Sequence, residues 1–274
     1  MYVHEYPLAL VYAGVPVTGK HSPYIVLVSG SARLRVEVEL GSPEQGVPRL
    51  SLSPSGLGWR VELALKSFLD VVSDRLEEPL EASLRLSWSG LEAPPSSTVY
   101  AAATLALLEA VAAEGGYSME RGELLEAARS IDVDAGAWYD FLDAARAAML
   151  EERSMVYRHG EDPLPLDAGG SVELRLVGEE DIGEDATRLM SDSLLSIAAR
   201  FTGIAVVEHV SRLREEGFSL EAWKTLARVE NGLYYTLYGA QLPPEGCKWT
   251  PGLQRVYGVC VGEEAPGDRV SFTL

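Results

Sequence analysis

The chain has 274 residues, of which 47% are hydrophobic and 23% are charged, and its formal net charge is −18. This composition is typical of a folded globular chain, and the length suits one large domain or two ordinary ones. The acidic excess argues against binding to nucleic acid or to an anionic membrane surface, since both need a basic footprint.

The basic residues are nearly all arginine, because only four of the 23 Lys and Arg residues are lysine, and asparagine occurs once. This bias is compatible with a thermophilic source, although a GC-rich genome produces it too. The first residues lack the basic start of a secretory signal, and charges interrupt the apolar stretches before they reach membrane-spanning length. We therefore expect a cytoplasmic protein with no membrane partner.

The first half of the sequence alternates between strand and helix patterns. Residues 24–40 alternate apolar and polar side chains and predict a half-buried strand. Apolar residues recur every three or four positions over 59–76, which predicts a helix. A strand over 82–88 and an Ala- and Leu-rich helix over 99–113 follow. Two further helices are predicted over 118–129 and 138–152.

The second half has a different texture. The patterns predict a strand over 172–176, a helical region over 189–216 interrupted near Gly203, a helix over 219–228, and strands within 246–274. An acidic run over 178–185 does not match the spacing of an EF-hand and predicts a solvated loop. Glycines and prolines over 155–170 break both periods, so we predict domains over 1–160 and 161–274.

Two cysteines flank the turn predicted at 251–254. In a hairpin with that turn, facing residues have numbers that sum to about 507, and 247 plus 260 equals 507. Cys247 and Cys260 are therefore predicted to be cross-strand neighbours, within reach of a disulfide. A reducing cytoplasm favours free thiols, whereas hyperthermophiles are an exception, so both states stay open.

The order of helix, strand, Pro-containing loop and Ala-rich helix over 59–113 resembles the GHMP family of small-molecule kinases. Two shorter segments add to this resemblance: 15–22 lies where family members carry Gly-Glu-His, and 246–252 is similar to their closing Gly-Ala-Lys motif. The resemblance implies an α+β fold with two domains. The N-terminal domain would have a mixed sheet with helices, and the C-terminal domain an antiparallel sheet with helices.

The phosphate loop of the family reads Gly-Leu-Gly-Ser-Ser-Ala-Ala, whereas residues 94–102 read Pro-Pro-Ser-Ser-Thr-Val-Tyr-Ala-Ala. The hydroxyls of Ser96, Ser97 and Thr98 are expected to cap the predicted helix, and a helix start of this kind can bind an anion. The resemblance implies that these three residues bind the phosphates of ATP, with Mg²⁺ held by residues that we do not assign. The side chains that stand in place of the family's glycines are bulkier, however, and narrow the loop.

Three residues are implied as parts of the reaction site. Asp140 occupies the region of the family's substrate-oriented carboxylate, although an acidic residue in the first turn of a helix also favours the local dipole. Lys20 would offset phosphate charge, and His21 would hydrogen-bond an anionic substrate. Polar residues after a glycine are also ordinary loop content. Lys248 is expected at the exposed surface of the C-terminal hairpin.

Two functions follow from these patterns. The first is an ATP-dependent phosphotransferase that acts on a small hydroxylated or carboxylated metabolite, with Lys20 and Asp140 as catalytic residues. The alternative is a catalytically inactive protein of this fold that binds a metabolite or a protein partner. The lost glycines favour the alternative, and Lys20, His21 and Asp140 favour the enzyme. The oligomeric state is left open.

Overall fold

The structure is a computed structural model that describes residues 1–43, 46–54, 57–137, 139–182 and 186–274. The strands are β1 (Tyr2–Ala13), β2 (Tyr24–Gly41), β3 (Arg49–Ser53), β4 (Glu81–Ser89), β5 (Met155–Tyr157), β6 (Leu164–Pro165), β7 (Ser171–Asp181), β8 (Cys247–Pro251), β9 (Arg255–Cys260) and β10 (Asp268–Thr273). The helices are α1 (Trp59–Leu76), α2 (Ser96–Glu114), α3 (Arg121–Asp134), α4 (Asp140–Glu151), α5 (Asp192–Glu216) and α6 (Leu220–Tyr238), with a short 3-10 turn at Ala186–Leu189.

The ten strands form one sheet in the order β3-β4-β2-β10-β7-β9-β8, with β1 and β5 paired to β2 and β6 paired to β5. Only β3 and β4 run parallel among the paired strands described, so the sheet is mixed on the N-terminal side. Strand β10 pairs with both β2 and β7 and joins the two halves of the chain. The α+β architecture expected from the sequence is confirmed, and the division at residue 160 stays a prediction.

Helix α2 is the centre of the core. Fifteen of its residues are buried, and they face every direction around the helix. A helix that is apolar all round needs cover on all sides, which strands β1 and β2 and helices α1, α3 and α4 provide. The N-terminal end of α2 is buried and lies beside the hairpin of β8 and β9.

The C-terminal helices differ from α2 in exposure. Helices α2 and α5 are both long and apolar enough, by length and composition, to cross a membrane, but the apolar window is 83% buried in α2 and 22% buried in α5. A core helix passes that test as readily as a membrane span. The outward face of α5 is therefore the unusual feature of this half.

Several predicted boundaries move in the structure. Helix α5 is continuous through Gly203, so the predicted interruption is wrong; a glycine within a helix costs only about 1 kcal/mol relative to alanine. Helix α6 continues ten residues beyond the predicted end at Arg228 and ends where Gly239 adopts φ 59°. Strand β1 was not predicted from its pattern, because eight consecutive buried residues hide the alternation of a strand.

The hairpin of β8 and β9 has the predicted register. Cys247 pairs with Cys260 and Pro251 with Val256, and the two cysteines form a disulfide with their Cα atoms 4.0 Å apart. Lys248 pairs with Val259 in the same register. The hairpin therefore carries a covalent link at the end away from its turn.

Candidate functional site

Asp140 lies at the start of α4, where it is the first helical residue and its side chain is 3% exposed. One carboxylate oxygen, Oδ2, is 3.0 Å from Nδ1 of His21. The other oxygen, Oδ1, is buried and has no hydrogen-bond partner among the residues that the structure describes. A buried acceptor without a donor costs about 1–3 kcal/mol, so this carboxylate is not placed for stability alone.

The connection between β1 and β2 brings His21 to Asp140. A tight turn in which the amide of Lys20 donates to the carbonyl of Val17 (3.0 Å) precedes His21. The His21 side chain is 49% exposed, and its ring packs against that of His159 at a tilt of 34°, with centroids 4.5 Å apart. Residues from three distant parts of the sequence therefore meet at one point.

His159 follows β5 and links this cluster to α3. Its Nδ1 is 3.2 Å from a guanidinium nitrogen of Arg129. Burial raises the pKa of Asp140, and His21, His159 and Arg129 act in the opposite direction. Burial also lowers the pKa of His159, while the charge of Asp140 acts against that shift. We call Asp140, His21, His159 and Arg129 the Asp140 cluster.

The Asp140 cluster opens onto a wide depression of about 630 Å³. His21 and Pro23 line one side of it, Arg158 lies on the rim, and α5 forms the opposite wall. The guanidinium of Arg158 also pairs with Glu161 at 2.7 Å. The half-exposed imidazole of His21 is therefore the link between solvent and the buried carboxylate.

Lys20 lies next to His21 but is directed elsewhere. Its ammonium is 2.5 Å from Oδ1 of Asp192, the first residue of α5. The structure thus brings His21 into contact with Asp140, while Lys20 ties the same loop to α5. The catalytic role predicted for Lys20 stays a prediction.

The start of α2 is closed by a carboxylate of the same chain. The amide of Ser96 donates to Oε1 of Glu179 at 2.7 Å, and the Glu179 side chain is only 13% exposed. Arg255 lies 3.6 Å from the other oxygen of Glu179 and holds it from outside. The anion at this helix start is therefore Glu179, which satisfies the free amide and the positive end of the helix dipole.

The hydroxyls at the start of α2 are also used internally. The predicted cap is wrong, because the helix begins at Ser96 with Pro95 as N-cap and without a side-chain cap. The hydroxyl of Ser97 donates to the carbonyl of Pro251 at 3.1 Å, and that of Thr98 to the carbonyl of Ala9 at 2.7 Å. These bonds anchor the helix start to β8 and to β1.

The turn between β8 and β9 covers this helix start. The amide of Leu253 donates to the Ser96 hydroxyl at 3.0 Å. At Gly252 an added Cβ would lie 2.9 Å from Oε1 of Glu179 and 3.2 Å from Oγ of Ser96. A side chain at this position would therefore displace Glu179 from the start of α2. Between this turn and the start of α4, a cavity of about 30 Å³ remains, which is room for one or two water molecules.

No protein-family model and no curated protein sequence matches the chain. Solved structures do match over its full length. The mevalonate kinase of L. major, in complex with R-mevalonate, has a TM-score of 0.67 at 12% identity and covers 100% of this chain and 96% of its own. The M. jannaschii mevalonate kinase gives 0.65 at 10% identity, over 100% and 98%. The chain has the GHMP kinase fold.

Further structures with this fold carry other activities. The Streptococcus pneumoniae phosphomevalonate kinase, in complex with phosphomevalonate and AMPPNP, has a TM-score of 0.62 at 11% identity and covers 97% of this chain and 93% of its own. The Staphylococcus aureus mevalonate diphosphate decarboxylase gives 0.56 at 10% identity, over 99% and 96%. Identities this low establish the fold alone, so the chemistry has to be argued from the residues.

The residues at the start of α2 do not fit a nucleotide in this GHMP fold. A phosphate group there would compete with Glu179 for the Ser96 amide and would find the hydroxyls of Ser97 and Thr98 already engaged. Within the described ranges, no group of three or more His, Cys, Asp and Glu side chains is placed to hold a metal ion.

Sequence reasoning missed several of these residues. Glu179 was assigned to a solvated acidic loop, but residues 178–181 belong to β7, and 183–185 lie outside the described residues. Neither His159 nor Arg129 carries a local signal, since only the fold places them near Asp140. The available signal was the absence of the family's glycines from residues 94–102, which leaves the amides of this helix start in need of an acceptor.

Lys248 was also assigned to the wrong environment. It is fully buried, and its ammonium is 2.6 Å from Glu230, which also accepts from the amide of Gly14 at 2.6 Å. Burial lowers the pKa of Lys248, and the charge of Glu230 acts against that shift. The ammonium lies over the rings of Tyr12 and Trp223, so it belongs to the packing between α6, β1 and β8.

Proposed function

We propose that this chain is a GHMP-fold protein that binds a small, anionic, hydroxylated metabolite at the Asp140 cluster and does not use the start of α2 for ATP. One observation carries the proposal: the Ser96 amide donates to Glu179, and the turn of β8 and β9 covers both groups. An internal carboxylate at hydrogen-bond distance is present at very high effective concentration, which disfavours an external phosphate at the same amide.

The ligand class follows from the charges around the depression. His21, Arg158 and Arg200 line the depression and outnumber Glu208, the one carboxylate among its described lining residues, in a chain of net charge −18. Arginine and histidine bind carboxylates and phosphates through charge-assisted hydrogen bonds. The unpartnered Oδ1 of Asp140 is an acceptor, which suits a ligand hydroxyl.

Phosphotransferase activity is the second candidate, and Asp140 is the observation in its favour. A buried carboxylate with a raised pKa, bonded to an imidazole, has the properties of a group that orients or deprotonates a hydroxyl. This reading also requires a nucleotide site, which would form only if Glu179 left the start of α2. The two candidates therefore differ in one measurable property, the binding of a nucleotide.

Calorimetry on the full chain separates the candidates. The probes are R-mevalonate and phosphomevalonate, which the matching kinases bind, and AMPPNP with Mg²⁺. We expect at least one of the two acids to bind, and AMPPNP to give no heat. In His21→Ala and Asp140→Asn the affinity for that acid should fall at least about tenfold, which corresponds to about 1.4 kcal/mol.

The matched control is His4→Ala. His4 also forms an imidazole–carboxylate pair, with Glu109 at 2.6 Å, but it lies near the start of β1 and outside the Asp140 cluster. Its removal should leave the affinity unchanged. Binding of AMPPNP to the wild-type chain, with ADP formed from ATP in the presence of either acid, would instead establish the phosphotransferase.

A further inference from the structure

The outward face of α5 carries a row of exposed apolar side chains. Leu194, Ile197, Phe201 and Ile204 follow one another at steps of three, four and three residues, and each is about half exposed or more. Steps of three and four place side chains on one stripe of a helix, as in the seam between two packed helices. We call these four residues the α5 stripe.

The α5 stripe is not the face that holds the helix to the protein. The buried residues of α5 recur at steps of three and four on a different face: Ala198, Thr202, Val206, His209 and Leu213. The helix is thus apolar on two faces, and one of them has no cover within the described part of the chain. Contiguous apolar surface of this kind marks an interaction site on a folded protein.

The charges beside the stripe are complementary to those of a second copy of this chain. Arg200 and Glu208 lie four residues before and four residues after Ile204. Under a two-fold axis through Ile204 with antiparallel helices, Arg200 of each copy lies opposite Glu208 of the other. The commonest helix crossing, at about −50°, aligns the i±4 ridges of the two helices and so brings these residues side by side.

The net charge of the chain also favours contact between two copies at the α5 stripe. Two copies at −18 each repel one another over most of their surface, whereas residues 193–211 of α5 contain one Arg and one Glu and are neutral apart from His209. Glu208 is already held in place by Arg212 at 2.9 Å, and Arg200 forms no salt bridge among the described residues. An isologous contact provides that partner to both copies at once.

We propose that the α5 stripe is a homodimer interface, with a two-fold axis at Ile204 and reciprocal Arg200–Glu208 pairs. Arg200, Ile204 and Glu208 also line the depression beside His21, so a second copy docked on them would cover part of that depression. The dimer itself does not depend on the function proposed for the Asp140 cluster.

The test is the mass of the full chain in solution, measured by light scattering and sedimentation in the micromolar range. We expect twice the 29.7 kDa of one chain. Ile204→Glu places two like charges on the axis and should give monomers. Leu242→Glu is the matched control, because Leu242 is equally exposed but lies beyond α6, and this variant should stay dimeric.

Charge exchange tests the register of the interface. Arg200→Glu should raise the dimer dissociation constant about tenfold or more, since it faces Glu208 with a like charge. The double variant Arg200→Glu/Glu208→Arg should recover most of that loss, a result that a structural role of either residue alone would not produce. Recovery would fix the axis at Ile204.

Three outcomes would overturn the proposal. They are a monomeric wild-type chain, a dimer that survives Ile204→Glu, and a double variant no tighter than Arg200→Glu. Co-sedimentation of a monomeric wild-type chain with phosphatidylcholine vesicles would likewise overturn it, because the stripe would then be a lipid-binding face.

Discussion

The starts of helices α2 and α4 each have a carboxylate nearby, but the two carboxylates differ in their hydrogen bonding. Each has a carboxylate at the positive end of a helix: Glu179 at α2 is 13% exposed, and Asp140 at α4 is 3% exposed. Glu179 accepts from the Ser96 amide and is held by Arg255, whereas one oxygen of Asp140 has no hydrogen-bond partner in the described part of the chain. Glu179 therefore serves the fold, whereas Asp140 retains an oxygen that can accept a hydrogen bond from a ligand.

This difference teaches where function is to be sought in a diverged fold. A satisfied helix start contributes to stability and has little left for a ligand, while an unsatisfied buried acceptor is a cost that folding alone does not explain. The start of α2 would be assigned to ATP by fold analogy. Its contacts instead place it among the structural elements, and they leave the Asp140 cluster as the candidate site.

The largest effect on stability is expected from the disulfide of the β8–β9 hairpin, whose turn covers the start of α2. The disulfide between Cys247 and Cys260 closes a loop with a sequence separation of 13. Loops of about this length gain about 3 kcal/mol from the cross-link. Reduction should lower the free energy of unfolding by that order, as measured by urea unfolding with and without reductant.

The control for the disulfide experiment is the double variant Cys247→Ser/Cys260→Ser. It should unfold at the midpoint of the reduced wild-type chain and should not respond to reductant. An unchanged midpoint of the wild-type chain on reduction would show that the hairpin is held over α2 by its other contacts alone.

Next in size is the substitution Glu179→Gln at the closed helix start. It keeps an acceptor near the Ser96 amide but removes the charge, so it weakens a charge-assisted bond and the interaction with the helix dipole. We expect a loss of about 1–2 kcal/mol in the free energy of unfolding by urea titration. Glu180→Gln, at the neighbouring exposed position of β7, should change stability by less than about 0.5 kcal/mol.

Equal losses of stability in Glu179→Gln and Glu180→Gln would mean that Glu179 acts only as surface charge. The start of α2 would then be available to an anion after all. The comparison between the two helix starts would lose its basis in that case.

The sequence predicts the helices and strands well, because their patterns are local. The periodicity over 59–76 marks α1, and the alternation over 24–40 marks β2 to within a residue. The hairpin register that pairs Cys247 with Cys260 also follows from counting along the chain. By contrast, the buried face of β1 carries no alternation, so its pattern gives no strand signal.

The site was predictable only in part, because its decisive contacts join distant residues. Asp140 and His21 were candidates through the family resemblance, and the structure brings them together. Glu179 lies 83 positions from Ser96, so no spacing rule connects the two residues. His159 follows α4 and β5, and no spacing rule connects it to His21 either. Lys248 was expected in solvent because a lone lysine in a hairpin is usually exposed, and its buried partner Glu230 lies on another element.

The smallest expected effect has the opposite sign and concerns Asp140→Asn. Burial raises the pKa of Asp140 in the folded chain above its ordinary value of 3.8. The folded state therefore binds this proton more tightly than the unfolded state does, and the contribution of Asp140 to stability falls as pH rises through that window. An amide does not titrate, so the variant should match the wild type near pH 3 and gain on it as pH increases.

Ordinary carboxyl groups are fully ionised at pH 8. There we expect Asp140→Asn to be more stable than the wild type by about 1 kcal/mol, because it removes a buried charge with an unsatisfied oxygen. The measurement is urea unfolding from pH 4 to pH 8 for Asp140→Asn and Glu179→Gln in parallel. The same change of carboxylate to amide should stabilise the start of α4 and destabilise the start of α2. A loss of stability in Asp140→Asn at pH 8 would place Asp140, like Glu179, among the residues that serve the fold.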